Sequence, residues 1–299
     1  MAQHARGFTL IEMIVSMVIV AVIAAFLGSY LQPLIRAHVD AQARAELADQ
    51  LDLAIRGMQA DVRRGVPNAI RAPGANCIEL VPTKGGGRYR MGPDVSNDTP
   101  AGCASGSSAT CSAWVDTSDL TTVFDVLNVT GDPPAANDWI VIGNQNGNDV
   151  HEGNNRTRVS SVQVPLGTQG QLRVNVASTQ FHPGYAEGRF QTISASEPVV
   201  AYACVGTSAT LDARGNGQGT LIRIVRNFSS TYPSEAACAS TVGALQVSTV
   251  ARRVVSCHFL YDPNAGATQQ AGFVWLEMAL SRNQERARLA VGAHVSNVP

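Results

Sequence analysis

The chain divides by the spacing of its apolar side chains. From Met13 to Leu31 only Ser16, Ser29 and the Tyr30 hydroxyl interrupt an apolar run. Together with Phe8 to Ile11, the run is long enough to cross roughly 30 Å of hydrocarbon as a helix. Further on, Leu47, Leu51, Ile55 (with Ala54), Met58 and Val62 recur every three or four residues. Asp49, Asp52, Arg56, Gln59 and Arg63 fill the opposite side. That spacing predicts an amphipathic helix with one buried stripe. Gly65 and Pro67 supply its stop, and Pro33 is expected to kink or interrupt the line. Read as one element, Phe8 to Arg64 extends roughly 85 Å.

After Ala69 the character changes from helical spacing to short β-rich runs. Strands are predicted at 77–82, 123–129, 138–144, 157–164, 171–176, 198–205, 219–228, 254–262, 272–282 and 287–299, separated by Gly, Pro and Asn clusters. "GGGRYR", Gly85 to Arg90, reads as a turn between strands. Many short strands without alternating helices argue against a doubly wound sheet. The expected class is α+β: a long N-terminal helix, membrane-spanning in its first half and amphipathic in its second. That helix packs on a β-rich, disulfide-containing head of antiparallel sheet.

Composition narrows the classes. The 299 residues carry a net charge of −1, so no global field draws the chain to nucleic acid. The six cysteines, Cys77, Cys103, Cys111, Cys204, Cys238 and Cys257, all lie beyond the apolar run. An even count behind an export or membrane signal reads as disulfides, against free buried thiols as the alternative. Cys103 and Cys111 flank a small-residue loop and could close on each other. Six cysteines permit about fifteen pairings, and the rest stay open.

Few residues suggest chemistry. There is no GxSxG elbow, Walker loop or HExxH, so no catalytic residue and no cofactor is assigned. His258 adjoins Cys257, but neighbours along a strand point to opposite faces. In "NQNGNDVHEGNN", Asn146, Asn148, Asp149 and Glu152 are hard oxygen donors at the spacing Ca²⁺ favours. The loop lacks the EF-hand pattern, and a plain polar loop is the simpler reading. Arg252-Arg253 and Arg282-Arg286-Arg288 are charge clusters at strand ends, read as solvated faces.

The N-terminus carries the sharpest signal. His4 and Arg6 precede the run, which predicts a cytoplasmic N-terminus and an exported body. Glu12 is then the only charge before Arg36. A carboxylate in a membrane span is costly and is a functional hypothesis by default. A cleaved secretory signal, imitated by Ala21, Ala24 and Ala25, leaves Glu12 unexplained, and so does a plain signal anchor. A cut after Gly7 would place an α-amino cation on Phe8. On a neighbouring copy, that cation could neutralise Glu12 and set the register between packed subunits.

"GFTLIEM" closely resembles the prepilin cleavage motif of type IV pilins and type II secretion pseudopilins. The resemblance implies cleavage between Gly7 and Phe8 by a prepilin peptidase, N-methylation of Phe8, and a role for Glu12 in assembly. The implied organisation is a leader at 1–7, a transmembrane and assembly helix at 8–34, an amphipathic helix at 35–66 and an exported head at 67–299. In "ELADQLDLAIRGMQADVRRGVPNAIR", "CIELVPTKGGGRYR", "DWIVIGN" and "HVSNVP" the body is similar to minor pilins of the PilW and GspJ type, most of all the MshO-like proteins of MSHA pilus biogenesis. The role this implies is that of a minor pilin in filament initiation or at the tip. A GspJ-type pseudopilin, a tip adhesin with its own ligand and, last, a membrane-anchored periplasmic enzyme are the alternatives. Implied partners are major and minor pilins, prepilin peptidase, the inner-membrane assembly platform, and membrane lipid before assembly. The implied location is the inner membrane with a periplasmic head, then a pilus or pseudopilus.

Overall fold

The computed structural model describes residues 9–98, 103, 110–183, 188–263 and 272–295. Helix α1 (Leu10–Arg63) runs for 54 residues. It passes through Pro33 without a break, contrary to expectation. Proline removes one backbone bond, here the one to the Ser29 carbonyl. The long helical segments on both sides keep theirs.

Beyond α1 the chain builds two antiparallel sheets rather than one. The first has seven strands in the order β1 (Arg71–Gly74), β2 (Cys77–Leu80), β9 (Val199–Val205), β10 (Gly219–Arg226), β11 (Gln246–Asp262), β12 (Phe273–Arg282) and β13 (Glu285–His294). The second is a closed barrel of β3 (Gly85–Tyr89), β4 (Thr121–Gly131), β7 (Leu172–Thr179), β6 (Arg156–Gln163), β5 (Trp139–Val141) and β8 (Arg189–Ile193). The barrel is inserted between β2 and β9, which pair directly, with Leu80 opposite Val200.

The glycine-rich "GGGRYR" is therefore a barrel strand, not the expected turn. A Cβ at Gly87 would lie 2.1 Å from the Asn128 carbonyl oxygen and 3.0 Å from Phe190. Glycine serves close strand approach here, not turn conformation.

Each layer has its own apolar core. The second half of α1 buries Leu47, Leu51, Ala54, Ile55, Met58 and Val62 against one face of the seven-stranded sheet, among them Tyr202, Leu221, Phe259, Leu276 and Met278. A short helix α3 (Glu235–Ala239) covers part of the other face. The barrel is filled by Phe124, Val126, Ile140, Val174 and Phe190. Between barrel and sheet lie Val66, Val81, Val141, Val150, Ile193 and Val199.

Three disulfides tie this framework. Cys77 bonds Cys238, joining β2 to α3. Cys103 bonds Cys111. Cys204 bonds Cys257, joining β9 to β11. Among the described residues no cysteine is free.

Candidate functional site

The candidate site is α1 itself: its exposed beginning and its seat on the head. Large apolar side chains from Leu10 to Val39 are exposed, and the first buried residue is Ala43. The helix is long and apolar enough to cross a membrane; its most apolar window has a mean hydropathy of 2.8, and none of it is buried. In water such a face is unstable, so it needs lipid or other apolar helices around it.

The start of α1 is built by two residues. Thr9 is the N-cap, and the Glu12 amide donates to its Oγ1 at 3.4 Å. Glu12 Oε2 reaches back to accept from the Thr9 amide at 3.0 Å and from Thr9 Oγ1 at 2.9 Å. This is a capping box: each side chain satisfies a helix-end donor that has no backbone partner. Glu12 thus has a partner within its own chain. The sequence signal for it was present as Thr-x-x-Glu ahead of an apolar run. Gly7 and Phe8, expected at a cleavage and methylation point, lie outside the described residues.

The docked half of α1 is pinned by charge as well as by packing. Asp61, on the buried stripe, is a carboxylate the periodicity did not single out. Its Oδ2 accepts from Tyr202 Oη at 2.8 Å and from Arg223 Nη2 at 3.0 Å; its Oδ1 accepts from Arg64 Nη2 at 2.7 Å. Glu197 closes the network by accepting from Arg223 at 2.5 Å and Arg64 at 3.3 Å. Burial pushes the Tyr202 hydroxyl well above its ordinary pKa, so it stays a donor to Asp61. Spacing alone cannot reveal such a network, because its members lie on α1 and its C-cap, in and just before β9, and on β10. Nearer the exposed half, Arg44 pairs with Glu285 at 2.8 Å and Arg282 pairs with Glu46. These pairs hold the β12–β13 turn against α1.

The oxygen donors of the "NQNGNDVHEGNN" loop are hydrogen-bonded to Arg71 and to one another. Asn148 Oδ1 accepts from Arg71 Nε at 3.1 Å and Nη2 at 2.8 Å. Asp149 accepts from the Asn146 amide and side chain, both at 3.0 Å, and Glu152 accepts from Asn154. The segment forms a one-turn helix, α2 (Asp149–Glu152), wedged at the joint of barrel and sheet by Val150 and His151. Among the described residues no group of three His, Cys, Asp or Glu could hold a metal ion. Cys257 faces α1 in its disulfide, while His258 is exposed on the opposite face.

His151 is fully buried, with Nε2 3.1 Å from the Ala69 carbonyl oxygen. That contact makes Nε2 the protonated nitrogen, leaving Nδ1 4.0 Å from Glu79 Oε1. Burial pushes the imidazole pKa down to about 4, helped by Arg71 and Arg156. Arg156 itself lies over the Trp139 and Phe228 rings, 4.6 and 4.1 Å from their centroids. The cluster is a joint between the two sheets.

With this geometry described, comparison with known proteins adds one match. Residues 3–28 fit the family described as the prokaryotic N-terminal methylation motif. No curated protein and no solved structure matches the chain. The matched stretch takes in Thr9, Glu12 and the start of the exposed apolar half of α1, and it supports a type IV pilin-like or pseudopilin-like protein.

Proposed function

We propose that the chain is a minor pilin of a type IV pilus, of the MSHA type, acting in initiation or at the tip of the filament. One observation supports this reading: the helix that begins within the methylation motif has an exposed apolar half and a half docked on a disulfide-tied head. Before assembly the exposed half rests in the inner membrane. After cleavage behind Gly7 it packs among the helices of other pilins, while the periplasmic head selects its neighbours.

Glu12 then has two successive partners. In the single subunit its carboxylate is held by Thr9. In the filament the methylated α-amine of Phe8 on a neighbouring subunit supplies the opposite charge and fixes the axial register.

Mass spectrometry of the protein from its native host tests the processing step. The expected mature chain begins at N-methylated Phe8; a cut near Ala25, or no cut, overturns the reading. Glu12→Ala is expected to insert in the membrane and yet be lost from filaments. Incorporation at the normal level would remove the register role. Deleting the gene should abolish surface filaments and leave secretion intact; loss of secretion instead would point to a secretion pseudopilus.

A further inference from the structure

The two arginine clusters that looked like separate solvated strand ends meet in the fold. The β12–β13 turn sits beside α1 at Arg44 and Glu46 through the Arg44–Glu285 and Arg282–Glu46 pairs. The loop joining β9 to β10 folds onto that turn: Gln284 N donates to Gly215 O at 2.9 Å, and Gly217 N donates to Ser281 O at 2.9 Å. The bulged bend of β11, where Arg253 has φ 63°, closes against Gly217 and Gly219. Three stretches far apart in the chain thus form one end of the head, the end from which the exposed half of α1 emerges.

That end is basic. It brings Arg44, Arg214, Arg252, Arg253, Arg282 and Arg286 together with Glu46, Asp212 and Glu285, an excess of three positive charges. Two carboxylates are taken by Arg44 and Arg282. Asp212 is tied into its own loop by Asn216 and the Arg214 amide, with the Arg214 charge nearby. Among the described residues Arg214, Arg252, Arg253 and Arg286 make no ion pair, and Arg214, Arg252 and Arg286 are exposed. Salt bridges within the head therefore do not account for them.

Helix geometry sets their height. Exposed apolar side chains continue past Leu31 to Leu34 and Ile35, and nine residues after Ile35 Arg44 stands about 13 Å further along the axis. The headgroup layer fills roughly 5–7 Å of that. The remaining gap is shorter than the ~8 Å screening length at physiological salt, before the reach of an arginine side chain is counted.

We propose that this end of the head is a docking surface for anionic phospholipid headgroups of the leaflet from which α1 emerges. It holds the unassembled subunit upright and close to the bilayer. The proposal rests on the reading of α1 as a membrane anchor. Each arginine near an anionic surface contributes roughly a fivefold factor to the ratio of docked to free head. Packing into a filament draws the head away from the lipid and releases this contact.

The test uses the full chain in lipid nanodiscs of phosphatidylcholine, alone or with about one third phosphatidylglycerol. Hydrogen exchange is followed in residues 206–218 and 282–286. The anionic discs should slow exchange there, and high salt should restore it. The combined variant Arg214→Glu, Arg252→Glu, Arg286→Glu removes three positive charges and adds three negative ones, and should lower the docked-to-free ratio by at least on the order of 100-fold. The matching Arg→Lys variant should keep the protection, which separates charge from misfolding. Equal exchange in both kinds of disc, or protection retained by the glutamate variant, overturns the proposal while α1 remains an anchor. A glutamate variant that keeps its lipid dependence but fails to join filaments would make the surface a protein-binding one, and overturn it too. A chain that does not stay with neutral discs overturns the anchoring reading first, and the docking surface with it.

Discussion

Between Leu10 and Val39, α1 turns its apolar side chains outward; between Ala43 and Val62 it buries them, Leu53 excepted. Both halves are regular helix, and backbone conformation does not distinguish them. What differs is where the partner comes from. The first half must find lipid or another subunit, whereas the second finds β9 to β13 in its own chain. Polarity follows from this. The exposed half keeps its one acid at the very start, tied to Thr9. The docked half buries a carboxylate in mid-stripe, because Tyr202 and Arg223 are there to receive it.

Changes in the docked half should therefore act on the stability of the head, and changes in the exposed half should not. The largest effect is expected from Asp61→Ala, which leaves the buried Tyr202 hydroxyl without its acceptor and Arg223 with Glu197 alone, and should cost about 3–5 kcal/mol. Leu51→Ala should cost roughly 2–5 kcal/mol through the cavity it leaves. Thermal unfolding of the head in detergent measures both. Val20→Ala, in the exposed half, is the control and should leave the transition unmoved; a comparable loss there would break the comparison.

Acid should separate the halves further. The folded pKa of His151 is depressed to about 4 from 6.5, so the unfolded chain binds its proton first as pH falls. Its contribution is full above 6.5 and is lost towards about 4, amounting to about 3 kcal/mol. Glu79, whose pKa burial pushes up against the pull of Arg226 and Arg71, works the other way. The head should lose its disulfide-tied tertiary signal on that limb, while the exposed half of α1 stays helical in micelles. His151→Gln should flatten the limb; an unchanged slope would assign it to other groups. The smallest effect is that of Thr9→Ala. Loss of the cap should cost about 1 kcal/mol. It should fray only the first turn of α1, seen as faster exchange at Leu10 to Met13, with the head unchanged.

The long-range division of the molecule was readable from spacing, because the helical and strand periods differ and the buried stripe of α1 is regular. The runs rich in β-branched and aromatic residues, such as "PVVAYACV" and "GTLIRIVRNF", fall where β9 and β10 lie. β3 was not readable: three consecutive glycines signal a turn unless a neighbouring strand is known to press on them, as Asn128 and Phe190 press on Gly87. Nor was the division into sheet and barrel, since strand order depends on pairings across the whole head. At the candidate site, Glu12 stood out by its cost in an apolar run, while Asp61 looked like one more polar residue on an amphipathic helix. Its importance comes from Tyr202 and Arg223, well over a hundred residues away. The same holds for the arginines, which form one surface only once β9–β10, β11 and β12–β13 are brought together.

The insertion of the barrel between β2 and β9 bears on how the chain can reach this structure at all. Pairing Leu80 with Val200 in an unfolded chain means closing a very long loop. In the barrel, Lys84 N already donates to Thr192 O at 2.8 Å, so its two ends lie side by side. Once it has formed, the loop still to be closed shrinks to a few residues on each side. A tenfold shorter loop lowers the entropic cost of closure by about 2 kcal/mol. The barrel thus serves as a clasp: a locally assembled unit that shortens the search by which two distant strands complete the seat of the helix.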